Sequence, residues 1–380
     1  MQQTTPNNEV SRMKKIHVLQ FICPVGFYGA ERWVLALANN LDPDSVVSSL
    51  AVTMEPGQKK LEIVKQFTAG PTFEIDMKSK LDFTTVKRLV QVIKENQIDI
   101  IHTHGYKSDI LGYLAARSAG IKCVSTPHGF EGQKKLKLAF YVWLGCFFLR
   151  FYDKVVPLSR QLMDEVREYR ISPKITEYIQ NGVDLKEVES ARLSKAQSAI
   201  ESKSRTIGFI GQMIERKNIV DLLDVFEILW NEDKSLKLIL VGDGPVRASL
   251  ENYASTLSSK DHIQFLGFRQ DRLELLHSLR LFLMTSISEG IPRCMMESMA
   301  MGIPMAAYDI AGVDQLIKKD ITGVLAPLGD KEELARQCSR IINDDAFATT
   351  VSNAALDFVN QNFAASRMAK EYTALFNKLI

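Results

Sequence analysis

The chain has 380 residues, of which 46% are hydrophobic and 24% are charged, and its formal net charge is +2. This length predicts two domains of roughly 150–200 residues each, and the ordinary composition predicts a globular protein. The balanced charge excludes the strongly basic class of nucleic-acid-binding proteins, and we expect no nucleic-acid partner.

Cysteine usage and the N-terminal residues bear on the compartment. The five cysteines are dispersed, form no CxxC pair and lie in or beside apolar runs. This pattern predicts reduced core thiols in a cytoplasmic protein rather than a disulfide framework or a zinc site. Residues 1–13 are polar, without the apolar segment of a signal peptide, and we predict a disordered leader there. The aromatic run 138–149, which has no charged residue, is shorter than the roughly 20 residues that span a bilayer.

The first half alternates short apolar runs with amphipathic stretches, which is typical of an α/β fold. The predicted strands are 16–22, 46–52, 73–75, 98–102, 122–126, 154–157 and 175–179. The predicted helices are 30–41, 61–69, 83–96 and 109–119, followed by an aromatic segment and a helix that begins at Ser159.

A second α/β series follows a polar stretch, 186–204, which we predict to be the domain linker. Its predicted strands are 206–210, 237–241, 262–265, 281–284, 304–307 and 323–325, and its closing helices are 331–342, 346–361 and 365–379. We therefore predict an N-terminal domain over residues 14–195 and a C-terminal domain over residues 196–362. The amphipathic segment 363–380 is expected to pack back on the N-terminal domain.

Polar, glycine-bearing turns follow the predicted strands in both halves. They are 26–29, 102–105, 128–129, 211–217, 242–245 and 289–292. Ligands of open α/β sheets bind at the carboxyl ends of the strands. Two such domains that face each other would bring these turns into one interdomain cleft.

One segment of the second half carries two carboxylates, Glu289 and Glu297, on either side of the start of a predicted helix. Pro292 suits the first turn of that helix because its missing N–H costs nothing there. The N–H groups of Arg293 and Cys294 would then form an anion site at the positive end of the helix dipole. We expect Glu297 about two turns inside the helix. The alternative is a core helix with a polar start and one solvated Glu.

Two further loops join a predicted strand to a helix and suit phosphate groups. Gly29, in Gly-Phe-Tyr-Gly-Ala-Glu, lets the backbone approach an anion at a helix start. In Gly-Gln-Met-Ile-Glu-Arg-Lys, Lys217 offers a point charge to a phosphate, and Arg216 either assists it or faces solvent. An ordinary turn and a solvated basic helix start are the alternatives. Neither loop has the dinucleotide-binding or the Walker pattern.

His128 is the best isolated histidine because it follows an apolar strand and lies between Pro127 and Gly129. A core or loop histidine is the alternative to a site residue. His102 and His104 are not predicted to form a metal pair. No other His, Cys or carboxylate group has metal-ligand spacing, and we expect no metal site.

The segment 134–154 combines four lysines and one arginine with a run rich in aromatic residues. Such a segment suits a membrane interface or a lipid-acceptor site, and we predict peripheral membrane contact as one interpretation. The alternative is a buried helix whose flanking lysines extend their charges to the surface.

Several motifs occur in a characteristic order. The second half carries Gly-Gln-Met-Ile-Glu-Arg-Lys, Val-Gly-Asp-Gly-Pro, Phe-Leu-Gly-Phe, Ser-Glu-Gly-Ile-Pro-Arg-Cys-Met-Met-Glu-Ser-Met-Ala and Asp-Ile-Ala-Gly, and the first half carries Tyr-Gly-Ala-Glu, Thr-Pro-His-Gly and Asn-Gly-Val-Asp. In this order they resemble the retaining glycosyltransferases of family 4. The resemblance covers nearly the whole chain and implies the GT-B fold, in which two Rossmann-like α/β domains face each other across a cleft.

The resemblance implies transfer of a sugar from a nucleotide-diphosphate donor to a hydroxyl acceptor, with retention and without a metal or other cofactor. Attack from the face of the departing phosphate needs no covalent nucleophile, and a cation with helix-start amides stabilises the charge that develops there. We expect a UDP- or GDP-sugar as donor and a saccharide or lipid-linked acceptor. The expected setting is polysaccharide, lipopolysaccharide or glycolipid assembly at the cytoplasmic face of a membrane.

By position, the resemblance implies that Glu297 holds the donor ribose hydroxyls and that Glu289 holds the hydroxyls of the donor sugar. Lys217 would neutralise the diphosphate, Gly29 would donate its amide to the same group, and His128 would lie beside the sugar and the leaving phosphate. His128, Glu289 and Lys217 are therefore the expected catalytic residues. The expected donor-binding residues are Gly29, Gln212, Arg216, Lys217, Gly290, Arg293, Cys294 and Glu297.

This chain has Gln212 where the family usually has Arg, so one charged contact with the diphosphate is lost unless Arg216 compensates. Two alternatives to a transferase stay open. A nucleotide-sugar 2-epimerase of the same fold would need acid–base carboxylates around the sugar ring. The second alternative, a non-catalytic sugar-nucleotide-binding protein, is suggested by Gln212.

Overall fold

The computed structural model describes residues 15–24, 26–55, 61–78, 82–130, 136–196 and 205–380, and the predicted leader lies outside these ranges. Within them the chain forms two parallel sheets of six strands each, one from each half of the sequence. Helices join the successive strands of both sheets, except for the last two strands of the second sheet, which are connected by turns. This is the two-domain α/β fold that the sequence predicts.

The first sheet is built from the N-terminal half. Its strands are β1 (Ile16–Ile22), β2 (Val46–Met54), β3 (Thr72–Asp76), β4 (Ile100–Thr103), β5 (Lys122–Ser125) and β6 (Lys154–Val155). Its helices are α1 (Gly29–Asn40), α2 (Glu62–Gln66), α3 (Thr84–Glu95), α4 (Tyr106–Ala119), α5 (Leu136–Leu149) and α6 (Arg160–Glu168). The strand order is β3-β2-β1-β4-β5-β6. The central strand β1 reads as a nearly continuous apolar run because helices cover both faces of a parallel sheet.

The second sheet repeats the same plan after helix α7 (Leu185–Ala196). Its strands are β7 (Thr206–Ile210), β8 (Lys237–Val241), β9 (Ile263–Gly267), β10 (Leu281–Met284), β11 (Met305–Tyr308) and β12 (Val324–Ala326). The remaining helices are α8 (Ile219–Glu232), α9 (Arg247–Ala254), α10 (Arg272–His277), α11 (Arg293–Ala300), α12 (Lys331–Asn343), α13 (Asp345–Asn362) and α14 (Ala365–Leu379). The strand order, β12-β11-β10-β7-β8-β9, matches that of the first sheet when each is numbered from its own first strand.

The last helix, α14, returns to the first half, as predicted. Met368, Tyr372 and Phe376 are buried in the core that contains Trp33 of α1. The hydroxyl groups of Tyr372 and Thr126 lie 2.7 Å apart and connect the helix to the end of β5. The first half is therefore completed by the C-terminal residues of the chain.

Two details differ from the predicted elements. The predicted strand 175–179 forms only an isolated bridge between Thr176 and Val155. The predicted linker begins as helix α7, whose Val188 is buried in the core of the second half, while 197–204 lie outside the described residues. The few apolar residues of α7 show only a weak helical periodicity, so the polar composition of this stretch predicts a linker. The domain boundaries themselves stay a prediction.

Candidate active site

The polar turns of both halves meet in one cleft. Strand order reverses between β1 and β4 in the first sheet and between β7 and β10 in the second, and ligands of such sheets bind at these reversal points. The cleft has a volume of about 1150 Å³ and takes its walls from both halves. It brings together all ten residues that the sequence assigns to the site, namely Gly29, His128, Gln212, Arg216, Lys217, Glu289, Gly290, Arg293, Cys294 and Glu297.

Helix α11 forms part of the cleft wall with its first turn. Pro292 has an extended backbone (ψ 119°) and is the N-cap, so the helix begins at Arg293. Met295 donates its N–H to the Pro292 carbonyl at 3.1 Å, and the N–H groups of Arg293 and Cys294 come before that bond. Because the helix begins after Pro292, Glu297 is a little over one turn inside it, and the expected two turns are wrong.

Glu289 is the shared partner of two cations. Its Oε1 pairs with the Lys217 ammonium group, and its Oε2 accepts a hydrogen bond from Arg216 Nη1 at 3.0 Å. Burial alone would raise the pKa of Glu289, but the charges of Lys217 and Arg216 outweigh it and hold the pKa below its usual range. Glu289 is therefore ionised at neutral pH and is unsuited to act as a general acid.

Backbone hydrogen bonds hold the two loops of this ion cluster together. Lys217 ends a short 3-10 turn, and Asn218 follows it in the left-handed region with φ 46°. The Thr285 hydroxyl donates to the Asn218 carbonyl at 2.8 Å, just after β10. The Ile287 N–H donates to the Arg216 carbonyl at 2.9 Å. The loop after β7 is thus tied to the loop after β10, and the cations stay opposite the carboxylate.

Glu297 lies in a second ion cluster. Arg272 donates from Nε and Nη2 to its two carboxylate oxygens at 3.2 and 2.9 Å, and Arg293 Nε donates to Oε1 at 2.9 Å. Arg272 also donates to Glu187 of α7 at 2.8 Å. Burial alone would raise the pKa of Glu297, but Arg272 and Arg293 lower it to about 2. A carboxylate has about four acceptor positions, so Oε2 keeps one for a ligand.

Close backbone contacts explain two glycines of the cleft loops. At Gly312, with φ 89°, an added Cβ would collide with the carbonyl oxygens of Glu289 and Gly290. At Gly242, with φ 130°, it would collide with the carbonyl oxygen of Gly211. Because both positions have a left-handed backbone and touch another main chain, only glycine fits without a shift of the facing loop.

His128 lies in the wall of the first half. Its Nε2 is 3.4 Å from Nδ1 of His104, whose Nε2 in turn lies 2.9 Å from the Oε1 atom of Gln20. The ring of Trp33 packs at 5.2 Å between centroids. Burial lowers the pKa of His128 to about 3, so the imidazole is neutral at physiological pH.

The rings of His102 and His104 lie side by side. They are two positions apart at the end of β4, where an extended backbone directs residues i and i+2 to the same face, and their ring centroids are 4.4 Å apart. His102 Nε2 is 2.7 Å from the Thr126 hydroxyl, which is also paired with Tyr372. Among the described residues, no group of three His, Cys, Asp or Glu side chains could hold a metal ion.

Gly29 is the first residue of α1, and a Cβ added there would have no atom of the described chain within 4 Å. The Tyr28 N–H donates to Glu31 Oε2 at 2.8 Å, so the Glu of the Tyr-Gly-Ala-Glu motif caps this helix. The open space at Gly29 leaves the helix start accessible from the cleft.

Three charged residues near this site are not singled out by the sequence, namely Arg272, Glu187 and Arg32. Arg272 begins a short helix in a polar stretch, and Glu187 lies in the expected linker, so each has the appearance of a solvated surface charge. Only the packing of α7 against α10 and α11 reveals that Arg272 is buried beside Glu297. Arg32 follows Glu31, which caps α1. The sequence around it does not reveal that residues of the second half form the other wall of the cleft.

Solved structures with the same architecture include that of Anabaena Alr3699/HepE in complex with UDP-glucose. It superposes with a TM-score of 0.80 over 96% of this chain and 100% of that one, at 19% identity. The structure of Staphylococcus aureus TarM G117R, in complex with Fondaparinux, alpha-GlcNAc-glycerol and UDP, has a TM-score of 0.78 at 12% identity over 95% of this chain and 100% of that one. At such identities the likeness shows the fold, which is GT-B.

Curated relatives are similar in sequence over most of the chain. The UDP-Gal:alpha-D-GlcNAc-diphosphoundecaprenol alpha-1,3-galactosyltransferase of Escherichia coli is 27% identical over 292 residues, 73% of this chain and 75% of that protein. The N-acetyl-alpha-D-glucosaminyl L-malate synthase of Bacillus anthracis is 26% identical over 301 residues, 78% of each chain.

Two family models match, one in each half of the sequence. Glycosyltransferase Family 4 matches residues 27–187, and Glycosyl transferases group 1 matches residues 190–358. Between them they cover both sheets and the loops of the cleft. The fold and cleft define a GT-B protein. The chain belongs to the family 4 type of glycosyltransferases, as its motifs indicated, and it is a glycosyltransferase.

Proposed function

We propose that this glycosyltransferase transfers a sugar from a nucleotide-diphosphate donor, in the first place a UDP-sugar, to a hydroxyl acceptor with retention. The single observation that carries this proposal is the cluster in which Lys217 and Arg216 share Glu289 beside the first turn of α11. It combines cations for a diphosphate with a carboxylate for sugar hydroxyls. The UDP-glucose complex of a structure with the same fold and the UDP-galactose donor in a relative's name support this choice.

The proposed chemistry follows from charge. As the sugar–phosphate bond breaks, the acceptor oxygen bonds to the anomeric carbon from the same face and its proton passes to the departing diphosphate. Lys217 and the N–H groups of Arg293 and Cys294 stabilise the negative charge that develops on this diphosphate. No metal is required in this mechanism. Glu289, fully ionised, accepts hydrogen bonds from the donor sugar, and the one open acceptor position of Glu297 suits a ribose hydroxyl. His128, which is neutral, would lie beside the leaving group without adding charge there.

The test is release of UDP from UDP-glucose and UDP-galactose, and of GDP from GDP-mannose, with and without a hydroxyl acceptor and with EDTA present. Lys217→Ala is expected to reduce kcat/KM about 100- to 1000-fold because it removes a preorganised charge. Lys370→Ala, an exposed lysine of α14, is the control and should not change the rate. Product with inverted anomeric configuration, or activity abolished by EDTA, would refute the corresponding part of the proposal.

The same assay separates the alternatives. A 2-epimerase would change the configuration of the donor sugar without releasing UDP by transfer. A non-catalytic binder would hold the nucleotide sugar and release nothing. If Lys217→Ala and Glu297→Ala bind the donor as tightly as the wild type, these residues are not in the donor site.

We further propose that α5 docks the enzyme on an anionic membrane surface at the cytoplasmic face, where a lipid-linked acceptor is presented. One side of α5 is buried, while Phe140, Trp143, Phe147 and Phe151 are 38–55% exposed along the other side and just beyond its end. Successive rings of this aromatic stripe lie 5.3–6.1 Å apart. In the described chain, no helix combines the length and the apolar character needed to cross a bilayer.

The basic residues around α5 indicate which kind of lipid this helix would contact. The sequence from residue 134 to residue 152 carries three lysines and Arg150 but no Asp or Glu, although Lys134 and Lys135 lie outside the described residues. An aromatic stripe flanked by basic residues suits an interface that contains anionic lipids. The relative whose name contains diphosphoundecaprenol supports a lipid-linked acceptor in polysaccharide or glycolipid assembly.

Flotation with vesicles tests this docking face. The wild type should bind vesicles that contain phosphatidylglycerol more strongly than vesicles of phosphatidylcholine alone. The double variant Phe140→Ser, Trp143→Ser should lose binding, whereas Phe83→Ser, which removes an exposed ring at the start of α3, should keep it. Equal binding by all three proteins, or none by the wild type, would rule the membrane contact out.

A further inference from the structure

Arg32 is an arginine of the first half that lines the cleft. It lies one turn beyond Gly29 on α1, its guanidinium is 4.5 Å from the centre of the Phe27 ring, and it is half-buried in the cleft wall. Among the described residues, no carboxylate lies within salt-bridge distance of it. A partly desolvated cation is costly unless an anion or water compensates it.

The other cleft cations considered above already have partners. Lys217 and Arg216 share Glu289, and the remaining two, Arg272 and Arg293, share Glu297. The carboxylates in the second half of the cleft are thus largely neutralised by their own neighbours. Arg32 faces this wall from the first half as an additional positive charge.

The charges around Arg32 favour an anion rather than a further carboxylate partner. Burial lowers the pKa of Arg32 to about 10, and repulsion from Arg272 and Arg293 contributes to the shift, while Glu297 opposes it. Three guanidinium groups are therefore close enough to interact electrostatically, with one net charge left over after Glu297 and Glu187 are counted. An anion bound in the cleft would relieve this repulsion.

One positive charge that the family resemblance implies is missing from the cleft. Gln212 lines the same cleft where the family resemblance leads one to expect Arg. Gly29, at the start of the same helix as Arg32, has open space beside it. A guanidinium binds phosphate oxygens bidentately, which makes Arg32 suited to the missing contact.

We propose that Arg32 binds the diphosphate of the donor directly and supplies, from the opposite wall, the cationic contact that Gln212 cannot make. This inference rests on the proposed function, because it assumes a nucleoside diphosphate in the cleft. It assigns a substrate-binding role to a residue of the first half and explains how the chain tolerates Gln212.

Calorimetric binding of UDP, GDP and the nucleosides uridine and guanosine tests the inference. Arg32→Gln should weaken binding of the preferred diphosphate about 10- to 100-fold, the effect of losing a charged hydrogen bond, and leave its nucleoside unchanged. Arg32→Lys, which keeps the charge but not the planar fork, should lose less affinity and guards against a folding defect. Arg336→Gln, a surface arginine paired with Glu333, is the control and should bind like the wild type.

The outcomes separate the two proposals. Unchanged diphosphate affinity in Arg32→Gln, or an equal loss for nucleoside and diphosphate, would overturn the role of Arg32 while the proposed function stands. If the wild type binds neither UDP nor GDP, the proposed function fails and the role of Arg32 fails with it.

Discussion

Glu297 and Arg272 form a two-point ion pair in the buried interior, with N–O distances of 2.9 and 3.2 Å. The residues belong to different helices, α11 and α10, so the pair fixes one helix against the other. It also leaves the carboxylate with little capacity for a ligand. The structural and the binding roles of Glu297 can therefore be separated by changing its partner instead of Glu297 itself.

Replacing Arg272 by Met should destabilise the protein by about 3 kcal/mol, because a buried carboxylate loses its main counter-charge. The double variant Arg272→Met, Glu297→Gln should recover part of this loss. Urea unfolding measures both. Arg336→Met, which breaks the exposed pair with Glu333, should cost less than about 1 kcal/mol. Equal losses in Arg272→Met and Arg336→Met would contradict a buried pair of this kind.

Two glycines with similar backbones provide a matched test of the cleft loops. Gly312 (φ 89°) and Gly302 (φ 74°) are both left-handed, but only at Gly312 would a Cβ collide with the Glu289 and Gly290 carbonyls. Alanine at Gly302 should cost about 1 kcal/mol of stability and leave turnover intact. Alanine at Gly312 should also displace the Glu289 loop and reduce kcat/KM by at least about tenfold. Comparable kinetics for the two variants would show that the loop adapts.

The sequence predicts the alternating α/β plan, the return of the last helix and ten of the residues that line the cleft. These features depend on local patterns, such as apolar runs, glycine turns and helix starts. It did not predict Arg272 or Arg32, because nothing local distinguishes a surface arginine from one that another element buries. For the same reason the sequence predicts a linker over 186–204 where α7 forms, because Val188 contacts a core built from distant residues.

Buried neutral histidines should make the protein sensitive to mild acid. Burial lowers the pKa of His102 to about 3 and that of His104 well below its usual value. Below about pH 6.5 the unfolded chain binds protons that the folded chain does not, so stability falls by up to about 1.4 kcal/mol per pH unit for each histidine. Urea unfolding at pH 7 and pH 5 should show a smaller loss for His104→Gln than for the wild type. An identical loss would show that His104 is not kept neutral.

The hydrogen-bond partners of His104 predict which ring nitrogen of His128 carries the proton. The Gln20 Oε1 atom can only accept, so neutral His104 donates from Nε2 and its Nδ1 must accept from His128 Nε2. His128 should therefore be the Nε2–H tautomer, with Nδ1 unprotonated and able to accept a hydrogen bond. Nitrogen-15 NMR of histidine-labelled protein, assigned with His128→Gln, should show an unprotonated Nδ1 in the wild type. In Gln20→Leu this preference should weaken, because nothing then fixes the His104 proton on Nε2. A protonated Nδ1 on His128 in the wild type would reverse the assignment and make this ring a donor, instead of an acceptor, on Nδ1.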